Sequence, residues 1–283
     1  MSETPASAPG FLVADSVTRL GPAHVGAVLI AGSHGGIYAA WLAAKAGLRA
    51  VILNDAAVGL ECAGIAGLGY LDTFGMAAAT VGYDTARIGD GADMVRRGIV
   101  SHVNLAAAQA GCVVGQACRD AARRLTAAPL PLSGPAPLAE TRHLIRSEAG
   151  EPQVWALDSA SLIRPDDAGR IVLIGSHGGG PPATALKADC RAAIFNDAGI
   201  GIDNAGTARL PALDQRGIAA ATVGAATARI GDGRSTWETG ILSAVNACGA
   251  ASGGTVGMTA QDFVRRLLRQ DGLRPDVLRP ESA

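Results

Sequence analysis

Apolar residues fall in short runs, each closed by glycine or a polar cluster, with alanine-rich stretches between them. Val25–Ala31 is such a run and predicts a buried strand. Ile37–Ala46 is rich in alanine and stopped by Gly47, which predicts a helix. Ala50–Leu53 and Met76–Val81 predict two more strands, with a helix over Ala63–Phe74 between them that ends at Gly75. Ile99–Val103 is a candidate fourth strand, followed by helices through Leu125. Strands alternating with helices imply right-handed crossovers and a mostly parallel sheet.

The pattern then runs a second time. GAVLIAGSHGG (26–36) recurs as GRIVLIGSHGG (169–179), and ILNDAAVG (52–59) as IFNDAGIG (194–201). AAATVGYDTARIGDG (77–91) recurs as AAATVGAATARIGDG (219–233). From Asn54 to Gly91, 24 of 38 positions match at an offset of 142, which puts Asn, Asp, Thr and Arg in register as well as the common Ala and Gly. The expected architecture is α/β: two tandem, homologous β/α units with mostly parallel sheets, related by a pseudo-twofold axis. The units span 11–126 and 154–269, between a flexible N-terminus (1–10) and a C-terminal tail (270–283). Residues 127–153, Pro-rich and then polar, read as a linker. In the second unit Gly179-Gly180-Pro181-Pro182 should delay the first helix.

Composition narrows the partners. A formal net charge of −1, with no basic tract beyond paired arginines, lacks the cationic footprint that nucleic acid requires. No apolar run approaches the roughly 20 residues that span a bilayer, and the polar start shows no signal peptide. Five cysteines, none in CxxC, argue against a disulfide framework or a structural zinc site and fit a reduced cytoplasm. The partner expected is a small-molecule substrate. The Ala/Gly-rich surface leaves room for a homo-oligomer, with no membrane or nucleic-acid partner.

Ligands of open parallel sheets sit beyond the carboxyl ends of the strands, and the recurring polar motifs fall there. Ser33 and His34, with their copies Ser176 and His177, offer a hydroxyl and an imidazole at a glycine turn. The backbone of Gly35, Gly36, Gly178 and Gly179 could approach and cradle an anion. Asn54-Asp55 and Asn196-Asp197 lie at the next strand's end, where Asp55 and Asp197 could orient the histidines and the asparagines could donate to an oxyanion. Arg87 and Arg229 suit a substrate carboxylate, with Asp90 and Asp232 beside them in ARIGDG. Ser101-His102-Val103-Asn104 is kept as Ser243-Ala244-Val245-Asn246, so His102 belongs to one copy alone.

These residues point to a small-molecule enzyme, a hydrolase of a small amide, lactam or carboxylate. Serine would be nucleophile or oxyanion contact, histidine general base, and aspartate its orienter. Since Ser and His are sequence neighbours, the serine of one unit is expected to meet the histidine of the other. No cofactor is expected, although His34, His177 and the aspartates could also serve a divalent metal in a lyase or isomerase. A non-catalytic anion-binding or sensor protein is the third reading.

Overall fold

The computed structural model describes residues 6–8, 10–180 and 186–272, and Pro181 and Pro182 therefore lie outside the described residues. Among those residues the chain forms two six-stranded, mostly parallel sheets of the same order. The first contains β1 (Ala6–Ala8), β2 (Phe11–Ala14), β3 (Val28–His34), β4 (Ala50–Asn54), β5 (Ala77–Val81) and β6 (Val100–Val103), side by side in chain order. The second contains β7 (Arg142–Arg146), β8 (Val154–Leu157), β9 (Ile171–His177), β10 (Ala192–Asn196), β11 (Ala219–Val223) and β12 (Leu242–Val245). In each sheet the four central strands are parallel and the two edges antiparallel.

Strands β3, β4 and β5 are buried along almost their whole length because helices cover both faces, and their polar residues fall toward the carboxyl ends. On one face Leu29, Ala31, Val51 and Leu53 pack against α1 (Ile37–Lys45) and α2 (Ala66–Asp72). On the other, Val28, Ile30, Ile52 and Ala79 pack against α3 (Gly91–Arg97), α4 (Leu105–Gln109) and α5 (Cys118–Leu125). Alanine keeps these layers thin. Ala40 of α1 sits so close to Gly67 of α2 that a Cβ on that glycine would lie 2.7 Å away. The second half repeats the scheme with α6 (Leu210–Gln215), α7 (Gly233–Glu238), α8 (Ala247–Ala251) and α9 (Ala260–Gly272). Among the described residues between β9 and β10 it has no counterpart of α1.

Several elements differ from expectation. Ala6–Ala8, inside the stretch expected to be flexible, pair with Phe11–Ala14. The linker contributes β7 to the second sheet. Asp90-Gly91 begins a helix: the Asp90 carboxylate accepts the Asp93 N–H at 2.8 Å, capping α3, and Asp232 does the same for α7 through Ser235 at 2.9 Å. No helix among the described residues is long and apolar enough to cross a membrane.

Candidate functional site

Both copies of Gly-Ser-His lie at the carboxyl end of a central strand, where the ladder shifts register before His34 aligns with Asn54 and His177 with Asn196. The turn requires glycine. A Cβ on Gly32 would lie 2.5 Å from the Asp90 backbone nitrogen, and one on Gly175 2.3 Å from that of Asp232. The two strand ends face each other, with the His34 and His177 rings 6.3 Å apart edge to face.

The halves meet through reciprocal contacts. Leu60 N donates to Ala225 O at 2.8 Å, and Ile202 N to Tyr83 O at 3.0 Å. Arg87 pairs with Asp203 at 2.8 Å, and Arg229 with Glu61 at 3.0 Å. Ala56, Ile88, Ala198 and Ile230 form a small apolar cluster at this seam. The loops that build it are left-handed for four residues in a row. Ala56, Ala57, Val58 and Gly59 have φ of 48°, 62°, 63° and 70°, and Ala198 through Gly201 repeat the run. Each non-glycine residue in that conformation costs roughly 1–2 kcal/mol.

That strain explains the aspartates. Asp55 accepts the N–H groups of Ala57 and Tyr83 at 3.1 and 2.9 Å, and Asp197 those of Gly199 and Ala225 at 2.7 and 2.8 Å. They pin the left-handed loops, and among the described residues no hydrogen bond joins them to His34 or His177. Burial raises the Asp55 carboxyl above its usual range, opposed by hydrogen bonds from Ser101, Tyr83 and Ala57. Asn54 and Asn196, fully buried, hold the same loops through Ala56 and Ala86, and through Ala198 and Ala228. Asn104 and Asn246 cap α4 and α8 and brace the neighbouring strand. Arg87 and Arg229 are engaged in the seam's ion pairs rather than offered to a ligand. The amides of Gly35 and Gly178 donate to Asn54 O and Asn196 O, so they are not a free anion cradle.

The serines and histidines have specific local partners. Ser33 Oγ accepts the Val17 N–H at 3.1 Å and Ser176 Oγ that of Ala160 at 3.0 Å, anchoring the turn beside each strand. Among the described residues neither serine bonds to a histidine, so the crossed Ser–His dyad is not formed. His34 Nδ1 accepts the Gly36 N–H at 3.1 Å, and His177 Nδ1 that of Gly179 at 3.2 Å. A neutral imidazole that accepts at Nδ1 carries its proton on Nε2. Burial lowers His34 from 6.5 to about 4. His177 is lowered well below 6.5 by burial, then by the charge of Arg209 and by His34. Both rings are therefore neutral near pH 7 and present Nε2–H. This makes them hydrogen-bond donors; a general base at Nε2 would need a lone pair there. A metal-ligating imidazole turns its second nitrogen to an acceptor, whereas these face amide donors. Among the described residues no three His, Cys, Asp or Glu gather as a metal-ligand set.

Serines and histidines from both halves line one cavity of about 1240 Å³ between the strand ends. Two further residues on its wall were missed from sequence. Glu140 comes from the linker, which is tied to α1 by Trp41 Nε1 donating to Ala136 O at 2.8 Å and to the end of β8 by Thr141 bonding Asp158 at 2.6 Å. Burial pushes its carboxyl up to about 7, with Asp158 adding to the rise and Ser161 opposing it. Arg209 stands in the second copy where Gly67 stands in the first. Its guanidinium lies 5.7 Å over the Phe195 ring and donates to His177 O at 3.4 Å. Its Nε is buried without a partner.

The fold and site thus define a duplicated α/β protein with a cavity at the junction of its halves. Comparison with known proteins adds no identity: no family model, no curated protein and no solved structure matches the chain.

Proposed function

We propose that the chain is an enzyme that hydrolyses a small amide, lactam or related carboxyl derivative in the cavity between its halves. The observation that carries this reading is the facing pair of neutral imidazoles, 6.3 Å apart, each held at Nδ1 by a backbone N–H. Two preorganised Nε2–H donors beside a carbonyl oxygen would stabilise the negative charge it gains on attack. Removing one such donor typically slows turnover by about 10²–10³-fold.

Glu140 supplies the proton transfer. A carboxyl that titrates near neutrality accepts a proton from water as that water attacks the carbonyl carbon. It then returns the proton to the leaving nitrogen as the C–N bond breaks. Ser33 and Ser176 have their oxygens occupied as acceptors but keep a hydroxyl proton to donate to the ligand. Neither has a base to make it a nucleophile, so attack by water fits better than an acyl-enzyme.

The test is a panel of small amides, lactams and esters with the wild type, Ser176→Ala, His34→Ala and His177→Ala. Turnover by the wild type that falls about 10²-fold or more in each histidine variant, with folding intact, supports the reading. Turnover unaffected by both histidine substitutions would end it. Tight binding across the panel with no turnover would favour the anion-sensor alternative.

A further inference from the structure

We propose that Arg209 anchors a carboxylate of the ligand, so that the cavity selects a small organic anion and holds it in one orientation. The inference rests on the proposed function for its cavity and deepens it by naming the substrate class.

Four observations carry it. First, the cation has no counter-ion. Among the described residues no carboxylate lies within ion-pair distance of Arg209, and its buried Nε makes no hydrogen bond. The other arginine on the cavity wall, Arg229, is neutralised by Asp232 at 2.9 Å and Glu61 at 3.0 Å. Lys187 donates to the Ser161 carbonyl at 2.8 Å and is exposed. An unpaired buried charge costs several kcal/mol, which is tolerated where a ligand completes the pair.

Second, the side chain stays charged. Burial lowers the guanidinium only to about 10, leaving it cationic at neutral pH. Third, it is built into the site. The guanidinium sits over the Phe195 ring, and the bond to His177 O ties it to the strand end that carries one of the two donors. A planar fork in that setting matches a carboxylate through two parallel N–H···O bonds.

Fourth, it is one-sided. The equivalent Gly67 has no room for a side chain, since a Cβ there would lie 2.7 Å from both Ala40 Cβ and Gly35 O. The paired donors are near-equivalent and would accept a ligand either way round. A cation on one side removes that degeneracy and places the scissile carbonyl at a fixed offset from the anchored carboxylate.

The test reads binding rather than turnover, so it is independent of the catalytic reading. Thermal stabilisation and calorimetric affinity are measured with succinate and with uncharged succinamide, in the wild type, Arg209→Gln and Arg209→Lys. Succinate should bind the wild type at least ~10-fold more tightly than succinamide, Arg209→Gln should lose that preference, and Arg209→Lys should retain part of it. Equal binding of succinate and succinamide by the wild type, or undiminished succinate binding by a folded Arg209→Gln, overturns the proposal. The wild-type comparison decides even if a variant does not fold. Intact succinate selectivity in a protein that turns over nothing would sink the hydrolase reading and leave the anchor standing.

Discussion

Acid should weaken this fold through its two cavity histidines. His34 titrates at about 4 in the folded chain against 6.5 when unfolded, so between those values the unfolded chain binds a proton that the folded one does not. The stability is present above pH 6.5 and lost as pH falls. At ~1.36 kcal/mol per unit, moving from pH 7 to pH 5 removes about 2 kcal/mol through His34 alone. His177 shifts in the same direction, with Arg209 adding to its burial. Both rings border the cavity, whose water screens part of the effect, so a combined loss of roughly 2–4 kcal/mol is expected. The assay is urea unfolding at pH 7 and pH 5 of the wild type and of the double variant His34→Gln, His177→Gln. Glutamine accepts the same backbone N–H and donates to the cavity but does not titrate. Other groups change protonation equally in both proteins, so the difference isolates the pair. If the double variant loses as much stability as the wild type over that interval, the rings are not held neutral and the donor reading fails.

Glu140→Gln should do the reverse. The wild-type carboxyl is raised to about 7, so it favours folding at low pH and penalises it as pH rises from 4.5 through 7. The variant should therefore gain on the wild type in unfolding measurements between pH 5 and pH 8, and a constant difference would refute the perturbed carboxyl. Asn196→Ala strips partners from the buried Ala198 N–H and Ala228 C=O and should cost roughly 2–5 kcal/mol by thermal or chemical unfolding; a loss under about 1 kcal/mol would show that water replaces both bonds.

The sequence made the duplication and the strand-end position of Ser-His legible because both rest on copied patterns. Runs such as Val28–Ala31 are too apolar to be anything but buried, and the Gly-Ser-His that follows each lies at the strand's carboxyl end. Strands β1, β2, β7 and β8 lie outside the copied motifs, and with three to five residues each they show no period of their own. The roles of Asp55, Asp197, Arg87 and Arg229 were not legible. A carboxylate looks the same in sequence whether its partner is a histidine or a backbone amide, and only the left-handed loops decide which. Glu140 has no copy to draw attention to it. Arg209 had a visible signal, a lone cation in the copy where the first unit has Gly67, but its meaning depended on Phe195 and on the absence of a counter-ion.

The reciprocal seam has a consequence for what the two copies are free to become. Leu60 with Ala225 and Ile202 with Tyr83 are the contacts that an identical pair of halves would make with itself. In such a homodimer any substitution appears twice, and two buried guanidinium groups would repel each other across one cavity. Tethering the halves in a single polypeptide lets one copy change alone. The solitary Arg209 is an option open only to the fused chain.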